Sequence, residues 1–134
     1  MKIAMIIVRT LVGLLFVFSS VVYFLMVMGV APMPEIPAGP LKTFNEGLAA
    51  SGYFFTLLKI TELVCGILLL TGRFVPLALV ILSPIIINIL MVHLLLDRST
   101  LVVAIILVLA QIFLAYCYRD AFKPLLTSKY TPAT

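Results

Sequence analysis

The chain has 134 residues, of which 64% are hydrophobic and only 10% are charged, and its mean hydropathy is +1.32. Soluble domains carry about 25% charged residues, so this composition excludes a soluble globular protein and indicates a single-domain integral membrane protein. The net charge of +4 comes from basic residues scattered near the ends of apolar segments, a pattern typical of membrane helices and not of a nucleic-acid surface.

Four apolar segments are long enough to cross a bilayer core of about 30 Å, which needs roughly 20 helical residues. They predict transmembrane helices at about residues 3–28, 52–71, 74–96 and 100–118. Signal cleavage after Ala31 is disfavoured because Pro32 would follow the cut, so the first helix is expected to remain as an anchor. The last three helices are joined by short polar breaks. We therefore predict an all-α integral membrane protein, an antiparallel four-helix transmembrane bundle.

The long connection, residues 29–51, begins with a proline-rich stretch that cannot be helical. After Pro40, the side chains of Leu41, Phe44 and Leu48 fall on one side of a helix, which predicts a short amphipathic interfacial helix. Such a helix lies flat on the membrane or folds over the mouth of the bundle. We expect the second arrangement, in which it forms a lid.

Basic residues are distributed unequally between the two sides of the predicted bundle. One side carries Lys2, Arg9, Arg73, Arg119, Lys123 and Lys129, and the other carries Lys42 and Arg98. The positive-inside rule therefore predicts that both termini are cytoplasmic and that the proline-rich loop is outside. Arg9 is expected to extend its side chain to the cytoplasmic headgroups.

Lys59 and Glu62 lie three residues apart in the second apolar segment, close enough to touch on one helix. A charged side chain at the bilayer centre costs about 2.5–3.5 kcal/mol on insertion scales and is a candidate functional group. Two interpretations stay open. The pair either neutralises itself and fixes helix packing, or it serves a ligand or a proton.

The depths of the polar side chains predict which of them can meet. With Glu62 near the bilayer centre, several polar residues of the first and third helices fall in the outer half. We predict a polar, ligand-binding chamber that opens to the outer face and is formed by Glu62, Lys59, Asn88, His93, Tyr23 and Ser19. Histidine changes charge near neutral pH, so the chamber suits a proton relay or a quinone.

Each of the predicted residues on the third helix also has a structural alternative. With Asp97 four residues later, His93 can simply cap the helix, and Asn88 can serve as interhelical hydrogen-bonding glue, as can Gln111 on the fourth helix. Pro84 in the middle of the third helix predicts a kink or local opening near Val80. Such a kink can also serve helix packing alone and have no further role.

Metal and disulfide chemistry are not expected. A single histidine with scattered carboxylates gives no ligand set for a metal or a haem. Cys65 and Cys117 differ in predicted depth, which disfavours a disulfide. No arrangement of catalytic residues stands out, so we predict no catalytic site.

Four stretches together carry a family resemblance: LVGLLFVFS at 11–19, LKITELVCGILLL at 58–70, RFVPLAL at 73–79 and NILMVH at 88–93. With four short helices and a long first loop, the chain resembles the DoxX family of small bacterial membrane proteins (DoxX/DoxD-like). Many members carry a lysine near the end of the first helix, where this chain has Tyr23. Lys59 is then the only cation near Glu62.

The resemblance implies a multi-pass protein of the bacterial inner membrane that acts as an accessory or quinone-interacting subunit of a membrane redox system. It supplies no catalytic mechanism, so a non-catalytic subunit of an oxidoreductase complex is the expectation. The expected partners are the lipid bilayer, other membrane redox subunits, and further copies of the chain or other chains in an oligomer. Two alternatives stay open: a small-molecule or ion transporter that uses Pro84 as a hinge, and a structural scaffold without its own activity.

Overall fold

A computed structural model describes residues 1–133, and the regular structure in that range is entirely helical. The helices are α1 Lys2–Val27, α2 Pro40–Ala50, α3 Phe54–Thr71, α4 Val75–Leu95, α5 Leu101–Cys117 and α6 Arg119–Phe122. Two 3₁₀ turns, Arg98–Thr100 and Lys123–Leu126, precede α5 and follow α6. The amphipathic segment after Pro40 is therefore helical, as predicted, and Pro40 occupies its first position, where a missing N–H costs nothing.

Four helical segments are long and apolar enough to cross a membrane: α1, α3, α4 and the stretch Arg98–Cys117 that contains α5. This confirms the predicted number of candidate spans. Only 17–28% of the most apolar window of each span is buried inside the protein, and most of the exposed residues on these helices are apolar. Such a surface is compatible with contact with a lipid bilayer and suggests a multi-pass membrane protein.

The four long helices pack in a ring. Helix α1 contacts α3 and α5, and α4 contacts the same two helices from the opposite side. The core of the ring is aliphatic and aromatic, with Phe16, Leu69, Leu79, Leu82 and Leu114 at most 3% exposed. Since α1 and α4 lie across the ring from each other, their outward faces point in opposite directions.

The contact between α1 and α3 depends on two glycines. A methyl carbon built on Gly66 would lie 2.9 Å from Val17 Cγ2 and 3.0 Å from the Gly13 carbonyl oxygen. A methyl carbon built on Gly13 would lie 2.9 Å from the Gly66 carbonyl oxygen. All three distances are shorter than an ordinary contact, so the two backbones can approach this closely only because neither residue has a side chain.

Helix α4 is continuous through Pro84, so the predicted opening near Val80 does not interrupt the helix. Gln111 of α5 binds α4 at this level, where its Nε2 donates to the Leu79 carbonyl at 2.8 Å and to Ser83 Oγ at 3.0 Å. Gln111 therefore acts as the interhelical glue that the sequence indicated.

Arg9 contacts other parts of the chain at the end of the bundle where α1 begins and α3 and α5 end. Its Nη1 donates to the Tyr118 hydroxyl at 2.9 Å, and that hydroxyl is 3.3 Å from Met5 Sδ. The guanidinium also lies over Gly72, the left-handed residue that ends α3. The half-buried side chain is held at this end of the bundle by the Tyr118 phenol and by the negative end of the α3 helix dipole.

Candidate ligand-binding site

A cavity of about 800 Å³ lies between the end of α1, the beginning of α3, the proline-rich segment and α2. Its apolar lining consists of Met26, Val27, Met33, Pro34, Ile36, Ala49 and Phe55. Its polar lining consists of Tyr23, Glu35, Lys42, Asn45, Glu46 and Lys59. We call it the Lys59 cavity. Its volume is in the range of small-molecule sites, and mixed apolar and polar walls are typical of them.

Lys59 connects the cavity to the interior of the helix ring. Its ammonium donates to Ser19 Oγ of α1 at 2.9 Å and to Glu62 Oε2 at 3.1 Å. Glu62 is only 3% exposed and the Lys59 side chain is 19% exposed. The structure therefore brings together three of the predicted site residues, with the carboxylate inside and the ammonium at the cavity wall.

The local sequence explains this arrangement. Lys59 and Glu62 are three apart on α3, so their side chains lie on one face of the helix, and Ser19 approaches that face from α1. An ammonium has three hydrogens, and two of them are used by Ser19 and Glu62. The third hydrogen is left for another acceptor, and Lys59 is one of the residues that line the cavity.

Tyr23 also lines the cavity, one turn of α1 beyond Ser19. Its hydroxyl is 3.4 Å from Thr56 Oγ1 of α3, and its ring packs against Phe24 and Phe55 at centroid distances of 5.3 and 6.4 Å. The tyrosine therefore joins the end of α1 to the beginning of α3 and places a hydroxyl and a flat aromatic surface at the wall.

Helix α2 closes one side of the cavity with its polar face. Lys42, Asn45, Glu46 and Ala49 follow the helical spacing of three, four and seven residues, and all four line the cavity. The apolar face of this helix was the feature predicted from the sequence, and these four lining residues were not predicted. The polar stripe of Lys42, Asn45 and Glu46 was the available signal, but the direction in which it faces depends on how the proline-rich segment returns to the bundle.

The charged lining of the cavity is balanced. Lys42 and Lys59 contribute two positive charges, and Glu35 and Glu46 contribute two negative ones. Behind Lys59, the Glu62 carboxylate adds a further negative charge. Such a wall favours no strongly charged ligand, and it suits a neutral or zwitterionic polar group attached to an apolar body.

Asn88 and His93 lie on α4 and, among residues 1–133, do not line the Lys59 cavity. Asn88 is exposed on the outer surface of the ring. His93 is half-buried, and its Nδ1 is 2.8 Å from the Ile89 carbonyl of its own helix. The structure thus separates these two predicted residues from Lys59, since α4 lies across the ring from α1.

Asp97, four residues after His93, makes its own hydrogen bonds beyond the end of α4. Its Oδ1 accepts hydrogen bonds from the Ser99 hydroxyl at 2.6 Å and from the Ser99 backbone N–H at 3.1 Å. These bonds lower the pKa of Asp97, the side-chain bond most, and the nearby His93 adds a smaller lowering effect. Asp97 therefore caps the 3₁₀ turn that leads into α5.

Cys65 and Cys117 are both free. Within residues 1–133, no three or more His, Cys, Asp or Glu side chains are grouped so that they could hold a metal ion. The side chains that line the Lys59 cavity offer hydrogen bonds and apolar contacts to a ligand.

Comparison of the chain with protein-family models, with curated proteins and with solved structures gives no match. The resemblance to the DoxX family rests on the four sequence stretches at 11–19, 58–70, 73–79 and 88–93. The function is accordingly inferred from the geometry of the site.

Proposed function

We propose that this chain is a multi-pass membrane protein that binds a small amphipathic molecule in the Lys59 cavity. The observation that carries the proposal is the Lys59 ammonium, which is fixed by Ser19 and Glu62 while it forms part of a largely apolar wall. A preformed donor at the side of an apolar cavity is what orients a ligand with one polar end. Glu62 and Ser19 act as positioning residues for Lys59.

An antiparallel arrangement across a membrane is part of this proposal. Arg9, near the beginning of α1, contacts Gly72 and Tyr118 at the ends of α3 and α5. At the other end of α1, Tyr23 contacts Thr56 near the beginning of α3. With most basic residues on the Arg9 side, the positive-inside rule supports cytoplasmic termini and a Lys59 cavity at the outer side of a bacterial inner membrane.

The ligand class that fits best is a quinone. A quinone ring is neutral, so it suits a wall whose charges balance, and its carbonyl oxygens can accept the free Lys59 hydrogen. Tyr23 and Phe55 offer aromatic surfaces to the ring, and Met26 and Met33 offer adaptable apolar contacts to a tail. Together with the DoxX resemblance, this supports an accessory, quinone-interacting subunit of a membrane redox system.

The test is equilibrium binding of a short-chain benzoquinone to the purified chain in lipid vesicles. We expect Lys59→Met to weaken binding about tenfold, the effect of losing one charge-assisted hydrogen bond of about 1.4 kcal/mol. Lys123→Met is the matched control, because Lys123 also forms an ion pair three residues away, with Asp120 at 2.9 Å, but outside the cavity. Its binding should equal that of the parent chain.

Equal binding by the parent chain and Lys59→Met would refute the quinone site. The scaffold alternative makes a different prediction, since it needs the Lys59–Glu62 pair only for packing. Replacing both residues by leucine would then impair folding or partner capture without any quinone binding in the parent chain. The transporter alternative requires solute flux in vesicles that contain the purified chain alone.

A further inference from the structure

Asn88 differs from the other polar side chains of α4, which form hydrogen bonds with their own helix. Ser83 donates to the Leu79 carbonyl, and His93 Nδ1 is bonded to the Ile89 carbonyl, so both are satisfied by their own helix. Asn88 is exposed on the outer surface, and its side chain has no hydrogen-bond partner within residues 1–133. An amide in this position is unfavourable in contact with hydrocarbon, where nothing else can bond to it.

The surface around Asn88 is otherwise apolar and regularly spaced. Exposed residues follow alternating steps of four and three along one side of α4, and we call this set the α4 seam: Leu77, Ile81, Pro84, Asn88, Met91 and Leu95. Asn88 lies three residues past Ile85, the midpoint of Val75–Leu95, which is about 4.5 Å along the helix axis. The amide is therefore within the apolar part of the span and not at its end.

We propose that the α4 seam is the contact surface between two copies of this chain, which pair through their Asn88 amides. The inference rests on the proposed membrane insertion, because copies inserted in one orientation present Asn88 at the same depth. An amide both donates and accepts, so it is complementary to itself across a two-fold axis. A second copy thus supplies the missing partner at the required depth, and asparagine pairs of this kind hold membrane helices together.

Cysteine cross-linking in lipid vesicles tests the proposed surface. Met91→Cys places a thiol on the α4 seam, and Ile105→Cys places one on α5 as the control. The two sites are matched, because Met91 is 41% exposed and Ile105 is 44% exposed. Each also lies four residues from the helix end next to the Arg98–Thr100 turn. Both variants are made with Cys117→Ser, while Cys65 is buried and is kept.

We expect oxidation to give a disulfide-linked dimer with Met91→Cys and little with Ile105→Cys. Adding Asn88→Leu to Met91→Cys should raise the protein-to-lipid ratio needed for half-maximal cross-linking by about 3- to 30-fold, the effect of one interhelical hydrogen bond in a membrane. Asn88→Gln should retain most of the pairing, since it keeps an amide. Because Asn88 is exposed, unchanged circular dichroism is expected for both variants.

The failures of the two proposals are distinguishable. A chain that alkaline carbonate extracts from the membrane would overturn the proposed function and this inference with it. An integrated chain that cross-links equally at Met91→Cys and Ile105→Cys, or not at all, overturns the inference alone. The same holds if Asn88→Leu leaves the dependence on the protein-to-lipid ratio unchanged.

Discussion

Replacing Gly66 by alanine tests the close approach of α1 and α3. The added methyl carbon would lie 2.9 Å from Val17 Cγ2, 3.0 Å from the Gly13 carbonyl oxygen and 3.2 Å from the Val17 amide nitrogen. Ordinary contacts begin at 3.4 Å, so the helices must separate by about 0.5 Å. Two of these three atoms belong to the backbone and the third to a β-branched side chain, so none of them can turn aside as a flexible side chain would.

The size of the effect follows from two opposing terms. Overpacking a well-packed contact costs about 1–3 kcal/mol, and exchanging glycine for alanine inside a helix returns about 1 kcal/mol. Gly66→Ala is therefore expected to lower the free energy of unfolding by up to about 2 kcal/mol. Gly47→Ala makes the same chemical change in α2, where nothing lies within 4 Å of the added carbon, so it should be neutral or stabilise by up to about 1 kcal/mol.

The assay is equilibrium unfolding in mixed micelles at increasing mole fraction of sodium dodecyl sulfate, followed by far-ultraviolet circular dichroism. The difference between the two variants isolates the steric term, which we expect at about 1–3 kcal/mol. Adding Gly13→Ala to Gly66→Ala should cost less than the sum of the single changes, because one separation of the helices relieves both clashes. A Gly66→Ala protein as stable as Gly47→Ala would refute the proposed close contact.

Three further outcomes are expected. Lys59→Met leaves the Glu62 carboxylate without its ion pair and should lower the free energy of unfolding by about 3 kcal/mol. This is the lower end for a broken buried pair, because the lysine side chain is 19% exposed. Adding Glu62→Gln should restore most of the lost stability, and no recovery would contradict this account. Gln111→Leu removes hydrogen bonds to α4, but it also removes a buried Oε1 that has no partner within the described residues. The free energy of unfolding should therefore fall by less than about 1 kcal/mol, and a fall of more than about 2 kcal/mol would argue against this reasoning. The Ser99 hydrogen bonds lower the native pKa of Asp97, so the stabilisation of the turn is present at neutral pH and is lost as the pH falls through that lowered value. The protection factor of the Ser99 amide against hydrogen exchange, measured by nuclear magnetic resonance and corrected for the intrinsic rate at each pH, should fall over that acidic range, and Asp97→Asn should abolish the pH dependence of the turn.

Much of the helical architecture is predictable from the sequence because a long apolar segment has few alternatives. The contact between Lys59 and Glu62 was equally predictable, since a spacing of three residues fixes it within one helix. Ser19 was expected near Lys59 from its depth, and the structure brings the two within hydrogen-bonding distance. In each case the position of a residue along its helix was sufficient to predict the contact.

The depth of Asn88 and His93 in the bundle was not enough to predict whether they line the Lys59 cavity. Counting residues gives the height of a side chain along a helix, but the side it faces depends on which helices pack against it. Because α4 packs between α3 and α5, across the ring from α1, both residues are separated from the Lys59 cavity. The path of the proline-rich segment was unpredictable for a similar reason, so the polar face of α2 and Glu35 were missed.

The position of Arg9 has a consequence for biosynthesis. Arg9 lies on α1, whereas its hydrogen-bond acceptor, Tyr118, follows α5 and lies 109 residues later in the chain. The hydrogen bond between them cannot form while α3, α4 and α5 are still being synthesised. The contact that fixes the beginning of α1 is therefore completed only after the other three long helices exist, so the helix made earliest of the four is fixed at this end by the one made last.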